Sequence, residues 1–155
     1  MNIPQQKKGF TLIELLVVVA IIGILASVVL SLLSESRKKG VDAAVKQNVT
    51  NARLEAEVFY NTTGGNSYTD VCGVNGVGGV GPLIFAASKA VGLSGAYSVN
   101  VEGAPGRATC NYNANAWIAE VPTSATGSFW CADSTGISKQ ESATSISAAN
   151  DYTCI

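Results

Sequence analysis

The chain has 155 residues, a net charge of −1 and charged side chains at only 14% of its positions. A nucleic-acid-binding surface needs clustered positive charge, so this composition gives no support for a nucleic-acid partner. The absence of histidine excludes Ser-His-Asp and Cys-His catalysis and removes a common zinc ligand. We therefore expect a protein that is not an enzyme and carries no cofactor.

The longest apolar stretch, residues 10–33, contains a single charged residue, Glu14. As a helix it would be roughly 36 Å long at about 1.5 Å per residue, enough to cross a hydrocarbon core of about 30 Å. A carboxylate in a membrane segment is costly and is by default a candidate functional group. We expect a transmembrane helix in which Glu14 has a partner. A cleaved secretory signal fits less well, although Ala26 and Ser27 are small residues that keep it as a minor alternative.

Basic residues flank this segment on both sides. Lys7 and Lys8 precede it, whereas Arg37, Lys38 and Lys39 follow it. The positive-inside rule therefore leaves the orientation undecided. The cysteines beyond the segment fit an oxidising compartment, which favours a cytoplasmic N-terminus and an extracytoplasmic remainder.

After Leu33 the helical pattern continues but becomes one-sided. Apolar residues recur at spacings of three and four: Val41, Val45, Val49, Ala52, Ala56 and Phe59. This spacing predicts an amphipathic helix, with Leu54 and Val58 on a second, narrower stripe. Because no proline lies between Pro4 and Pro82, we predict one helix over 10–60, ended by polar and glycine residues at 61–65.

The remainder of the chain predicts a loop, a short helix and a small sheet. Glycine-rich residues 72–82 indicate a loop, and a proline at the start and a glycine beyond the end predict a helix within 82–92. Partly alternating or strand-forming residues predict strands at 96–101, 116–121 and 129–131, and a turn at 133–136 predicts a hairpin to 137–140. The expected fold class is α+β, with a long N-terminal helix packed on a small antiparallel sheet.

Four cysteines lie beyond the apolar segment: Cys72, Cys110, Cys131 and Cys154. None forms the C-x-x-C pair that is typical of a zinc site, and the even number predicts two disulfides. We predict the sequential pairing, Cys72–Cys110 and Cys131–Cys154, in which the second bond fastens an irregular tail at 141–155. The alternative joins Cys110 to Cys131 across neighbouring strands and Cys72 to Cys154.

Several weaker motifs favour ordinary structural roles. Residues 76–81 fit G-x-G-x-x-G but lack a βαβ context, which favours a flexible loop over a dinucleotide site. Asn48 and Asn61 begin N-x-[ST] triplets, which chance alone produces in such a chain, so glycosylation is the minor alternative. Asp133 and Asp151 offer too few oxygen ligands for a calcium ion. We expect them to be an ordinary turn residue and an ordinary tail residue.

Two acids, Glu102 and Glu120, are the candidates for an acid–base pair. Acids at the exposed ends of strands are commonplace, and we expect both residues to be of that kind. No nucleophile with a base therefore emerges from the sequence.

The stretch Gly9-Phe10-Thr11-Leu12-Ile13-Glu14, preceded by two lysines and followed by LLVVVAIIGILA, resembles the N-terminus of type IV pilins and pseudopilins. The resemblance extends to about Leu33. It implies that a membrane-embedded prepilin peptidase cuts between Gly9 and Phe10 and methylates the new amine of Phe10. It also implies that Glu14 pairs with the Phe10 amine of an adjacent subunit. Ser31 stands where several pilins have a helix-breaking proline, so a continuous helix is expected.

The resemblance implies four regions: a cytoplasmic leader (1–9), the transmembrane and assembly half of the helix (10–33), its amphipathic half (34–60) and an extracytoplasmic β head with disulfides (61–155). The implied function is a structural subunit of a type IV pilus-like filament. The alternatives are a pseudopilin of a type II secretion or DNA-uptake system and a monomeric, membrane-anchored extracellular binding module, which would gain nothing from Glu14.

The partners that this function implies are other copies of the chain or related pilins, prepilin peptidase, and the pilus or secretion assembly machinery of the inner membrane. Membrane lipid surrounds the helix before assembly. The chain would first be a single-pass membrane protein and would then enter a surface pilus or a periplasmic pseudopilus.

Overall fold

The computed structural model describes residues 9–73, 79–94 and 97–155. Within these ranges it contains two helices and five strands: α1 Leu12–Asn61, α2 Gly81–Ala90, β1 Tyr97–Val99, β2 Ala108–Tyr112, β3 Trp117–Pro122, β4 Phe129–Asp133 and β5 Ser138–Glu141. The chain divides into two compact units, Met1–Arg37 and Lys38–Ile155. The α+β class is confirmed, with a long N-terminal helix and a five-stranded, mostly antiparallel sheet.

Helix α1 follows the sequence prediction closely and continues through Ser31. In the Lys38–Ile155 unit its buried residues are Val45, Val49, Ala52, Ala56 and Phe59, which confirms the predicted face, with Val41 half-buried at its margin. Leu54 and Val58, on the second stripe, are 73% and 54% exposed. The helix ends where the Gly64 N–H donates to the Phe59 carbonyl at 2.7 Å and Gly65 adopts a positive φ of 59°.

Helix α2 also matches its prediction. Pro82 lies in its first turn, where a missing N–H costs nothing, and Gly92 has a φ of 81° just beyond its end. Its buried side packs Ile84 and Ala87 into the core. Residues 74–78 lie outside the described residues. They include part of the predicted loop at 72–82 and the first half of the G-x-G-x-x-G motif at 76–81.

The five strands lie in sequence order in one sheet. The strands expected at 116–121 and 129–131 and the hairpin to 137–140 are confirmed by β3, β4 and β5. The strand expected at 96–101 is shorter, and residue 96 lies outside the described residues. Strand β2 was missed, because its Thr109 and Asn111 gave it a polar sequence although both side chains are buried.

The expectation of an antiparallel sheet is wrong at one edge, where two strands are parallel. Strand β1 pairs parallel to β2, with Tyr97 opposite Ala108 and Val99 opposite Cys110, and the other pairings are antiparallel. The segment that connects β1 to β2 turns back at Gly106, whose φ is 73°. The Asn111 side chain fastens it by accepting from the Val101 N–H at 3.0 Å and donating to the Val101 carbonyl at 2.8 Å. Alternation along a strand is the same in both pairing directions, so the sequence could not reveal this.

Strand β3 is buried along its whole length because both of its faces are covered. Trp117, Ala119 and Val121 face a core that includes the buried side of α1 and α2. Ile118 faces the other way, into a smaller cluster with Cys131, Ile146 and Cys154. The tail after β5 therefore covers the second face of the sheet.

Two disulfides, Cys72–Cys110 and Cys131–Cys154, join the head. The sequential pairing is confirmed and the alternative is excluded. Cys110 lies on β2 and Cys131 on β4, and β3 lies between those strands, so the two residues are not on neighbouring strands. The second disulfide fastens the tail, which has no helix or strand over 142–155.

Two of the acids have roles that the sequence did not predict. Glu120 is fully buried, so the expectation of an exposed acid is wrong for it, whereas Glu102 is exposed. Asp133 lies at the predicted turn but is 1% exposed, and its Oδ2 accepts from the Cys154 N–H at 2.7 Å. Asp151 is a tail residue, as expected, and accepts from the Ser147 and Ala148 N–H groups at 2.8 and 2.9 Å.

Candidate functional site: the N-terminal segment

The start of α1 is fixed by reciprocal hydrogen bonds between Thr11 and Glu14. The Glu14 N–H donates to Thr11 Oγ1 at 3.3 Å, and the Thr11 N–H donates to Glu14 Oε2 at 2.8 Å. The Thr11 hydroxyl also donates to Oε2, at 2.7 Å. This is a capping box, in which a threonine and a glutamate three residues later satisfy N–H groups that the first helical turn leaves free.

The capping box gives Glu14 a partner that the sequence reasoning missed. The T-x-x-E spacing was the available signal, since it is typical of a helix N-terminus. All bonds from Thr11 go to Oε2, and within the described residues none goes to Oε1. The exposed carboxylate thus has one satisfied oxygen and one oxygen open to a further donor.

Gly9 and Phe10 precede the helix and are accessible. Both lie outside α1, Phe10 is 89% exposed, and a Cβ built at Gly9 would meet no atom within 4 Å. The peptide bond between them is therefore not shielded by the described part of the chain. Lys7 and Lys8, on which the orientation argument depends, lie outside the described residues.

The first half of α1 exposes its apolar side chains all round. Large apolar residues from Phe10 to Leu33 are between 47% and 89% exposed. Monomeric soluble proteins rarely expose a continuous apolar patch of more than a few hundred Å². Among the described residues, α1 is the one helix long and apolar enough to cross a membrane, which supports membrane anchoring.

One hydroxyl of this segment is satisfied within the helix. The Ser27 hydroxyl donates to the Ile24 carbonyl at 2.8 Å, as a hydroxyl surrounded by hydrocarbon requires. Glu14 Oε1, by contrast, has no hydrogen-bond partner among the described residues.

The head holds a second ordered carboxylate, Glu120, beneath the tail. Its carboxylate accepts from the Thr144 hydroxyl and from the Ser145 N–H at 3.0 Å. Burial raises its pKa above the ordinary value, and these hydrogen bonds oppose the rise. Glu120 and Asp133 both fasten the tail, so the arrangement indicates a structural role.

One cluster of metal-ligating residue types was found within the described ranges: Cys131, Glu141 and Cys154. The two sulfurs are bonded to each other and offer no thiolate, so this cluster does not fit a metal ion.

The comparison with protein families matches the N-terminal segment described above. The family model described as the prokaryotic N-terminal methylation motif matches residues 4–30. A curated protein of Thermus thermophilus, the type IV wide pilus major component PilA4, is 45% identical over 65 residues. This alignment covers 42% of the present chain and 48% of the relative, so the chain spans about half the length of that relative. No solved structure matches the chain.

Proposed function

We propose that this chain, whose N-terminal methylation motif and pilin relative support membership of the type IV pilin family, is a structural subunit of a type IV pilus-like filament. The observation that carries the proposal is an apolar half-helix exposed on all sides that begins with a half-satisfied carboxylate. Such a surface needs either lipid or other copies of itself, and Glu14 adds a specific contact that lipid cannot provide.

In this proposal, prepilin peptidase cuts between Gly9 and Phe10 and methylates the Phe10 amine. Residues 1–9 are the cytoplasmic leader, 10–33 the transmembrane and assembly half of the helix, 34–60 the amphipathic half and 61–155 the extracytoplasmic head. The two disulfides support an oxidising compartment for the head.

The contact between subunits follows from the two oxygens of Glu14. Oε2 is satisfied by Thr11 of the same chain, so Oε1 is the oxygen that receives the Phe10 amine of an adjacent subunit. An unpaired carboxylate within a bilayer is costly. Pairing removes this cost, and a buried polar contact also fixes the alignment of apolar helices that could otherwise slide.

The prepilin peptidase and the inner-membrane assembly machinery are the partners that this route requires, with lipid around the helix before assembly. The head then lies in a surface pilus. A pseudopilus of a type II secretion or DNA-uptake system is the alternative that shares this N-terminus. A monomeric anchored binding module is the other alternative, and it gives Glu14 no intermolecular role.

Substitutions of Glu14 test the proposal, because they separate capping from pairing. Glu14→Gln keeps a residue that can complete the capping box but loses the charge, whereas Glu14→Ala loses both. We expect both variants to insert in the membrane and both to lose filaments, as counted by electron microscopy of sheared cells and by mass spectrometry of the released subunit.

Thr11→Ala is the matched control, since it weakens the cap by about 0.5–2 kcal/mol and leaves the charge in place. It should reduce filament yield far less than Glu14→Gln. Wild-type yield from Glu14→Gln would contradict pairing and leave Glu14 as a helix cap. A wild-type chain that stays monomeric in the membrane, with no released filament, would favour the binding module.

A further inference from the structure

A groove in the Lys38–Ile155 unit lies between α1 and the turn that follows β4. Its lining includes Arg53, Leu54 and Glu57 from α1, Trp117 from β3, and Ser134 and Gly136 from the turn. Its cavity volume is about 440 Å³, within the range of roughly 300–1,000 Å³ that is typical of small-molecule pockets. None of these residues has a role in the function proposed above.

Two hydrogen-bond donors of residues that line this groove have no acceptor in the described part of the chain. Trp117 is 1% exposed, and its indole Nε1 is buried without a hydrogen-bond partner. The Nε of Arg53 is likewise buried and unpartnered. The indole N–H of the second tryptophan is paired in the usual way, because Trp130 Nε1 donates to Ser138 Oγ at 3.0 Å. Buried donors without partners are rare and costly, and each requires an explanation.

The carboxylates that line the groove form no ion pair with Arg53 among the described residues. Glu57 accepts from the Tyr68 hydroxyl at 2.7 Å, and Asp133 is engaged by Thr135 and Cys154. Gly136 leaves room for the guanidinium, since a Cβ at that position would lie 3.3 Å from Arg53 Nη2. The groove is therefore lined by a cation without an ion pair among the described residues and by Trp117, whose indole N–H has no acceptor among them.

The geometry points to a binding site for a carboxylate group in this groove. A guanidinium presents a planar set of N–H donors that matches the two oxygens of a carboxylate, and Trp117 lines the same groove, so its indole signal reports on the groove. Leu54, 73% exposed, offers an apolar wall for the carbon part of the ligand. The carboxylate comes either from a small organic acid or from an acidic side chain of a second copy of the chain.

The two indole N–H groups provide the test. The full chain in detergent micelles, labelled with ¹⁵N at tryptophan, gives one indole signal for each of its two tryptophans. Titration with sodium acetate, against sodium chloride at equal ionic strength, should move the Trp117 signal saturably and leave the Trp130 signal in place. Arg53→Gln should weaken this response about tenfold or more, because a charged hydrogen bond is lost.

Lys89→Gln, which removes an exposed cation on α2, is the matched control and should leave the titration unchanged. An unmoved Trp117 signal, an equal effect of chloride, or an unchanged response in Arg53→Gln would each overturn the proposal.

Assembled filaments distinguish between the two sources of the carboxylate. A Trp117 signal already at its bound position without acetate indicates a carboxylate from a second copy, whereas a signal that still moves with acetate indicates a free acid.

Discussion

The two parts of α1 are equally helical but place the same residue types in opposite surroundings. Val18, in the first unit, is 48% exposed, whereas Val49, in the second, is fully buried. The first part has apolar residues on every side, and the second has them at spacings of three and four. A helix of the first kind has no core within its own chain, and one of the second kind has a single buried face.

The two units also differ in how their carboxylates are satisfied. In the head, buried carboxylates such as Glu120 and Asp133 meet donors from the same chain. At the N-terminus, the described residues satisfy one oxygen of Glu14 and leave the other without a donor. These two carboxylates of the head are thus satisfied by the chain itself, whereas Glu14 Oε1 has no hydrogen-bond partner among the described residues.

The largest expected effect is that of Gly9→Val on processing. A Cβ at Gly9 meets no atom within 4 Å, so the substitution leaves the chain's own structure unchanged and acts on the peptidase alone. We expect nearly complete retention of a longer, uncleaved protein in the membrane, measured by mass spectrometry of the intact chain. Normal cleavage of this variant would contradict the prepilin assignment.

The head should depend strongly on its disulfides. Replacing Cys131 and Cys154 by serine opens a bond with a sequence separation of 23 and should cost about 3 kcal/mol in the chain-entropy model. Urea unfolding of the full chain in detergent, followed by tryptophan fluorescence, measures this loss. Both tryptophans lie in the head, so the signal reports on the head alone.

The serine pair should leave membrane insertion and Gly9/Phe10 cleavage unaffected. Equal stability of the serine variant and the wild type would show that hydrogen bonds such as that from Cys154 to Asp133 suffice to hold the tail. It would also weaken the distinction between a self-sufficient head and an N-terminal segment that needs its surroundings.

One substitution made in both parts of α1 sharpens the comparison directly. Val49→Ala removes buried methyl groups and should lower the free energy of unfolding of the head by about 2 kcal/mol. Val18→Ala removes exposed ones and should change it by less than about 0.5 kcal/mol. Both changes alter helix propensity alike, so the difference measures burial. Equal effects on the same urea assay would contradict the assignment of the core.

Features carried by local sequence were predictable. The extent of α1, its buried face, the proline that starts α2 and the β4–β5 hairpin each depend on spacing or turn chemistry within a few residues. The capping box of Thr11 and Glu14 was equally local, and its T-x-x-E signal was overlooked in favour of an intermolecular partner.

Features set by distant segments were not predictable. Glu120 has the sequence context of an ordinary strand acid until the tail, 25 residues away at Ser145, is placed over it. The parallel pairing of β1 and the buried polar residues of β2 depend on neighbours across the sheet. Arg53 gave no signal, because its unpaired state follows from the turn at Gly136 and from acids that are engaged elsewhere.

The smallest expected effect concerns Glu120 and pH. Burial raises its pKa above the ordinary 4.5, and the negative charge of Glu141 adds to the rise, while hydrogen bonds from Thr144 and the Ser145 and Ile146 backbone oppose it. The folded head therefore binds this proton more tightly than the unfolded chain does. The stabilisation is fully present below the ordinary pKa of 4.5 and is lost as the pH rises through the raised pKa. Glu120→Gln does not titrate, so relative to this variant the wild-type head should lose stability as the pH rises above 4.5, measured by urea unfolding at several pH values. Glu102→Gln, at an exposed acid, is the control and should run parallel to the wild type. A wild type that instead gains stability over Glu120→Gln with rising pH would show that the hydrogen bonds from the tail outweigh burial.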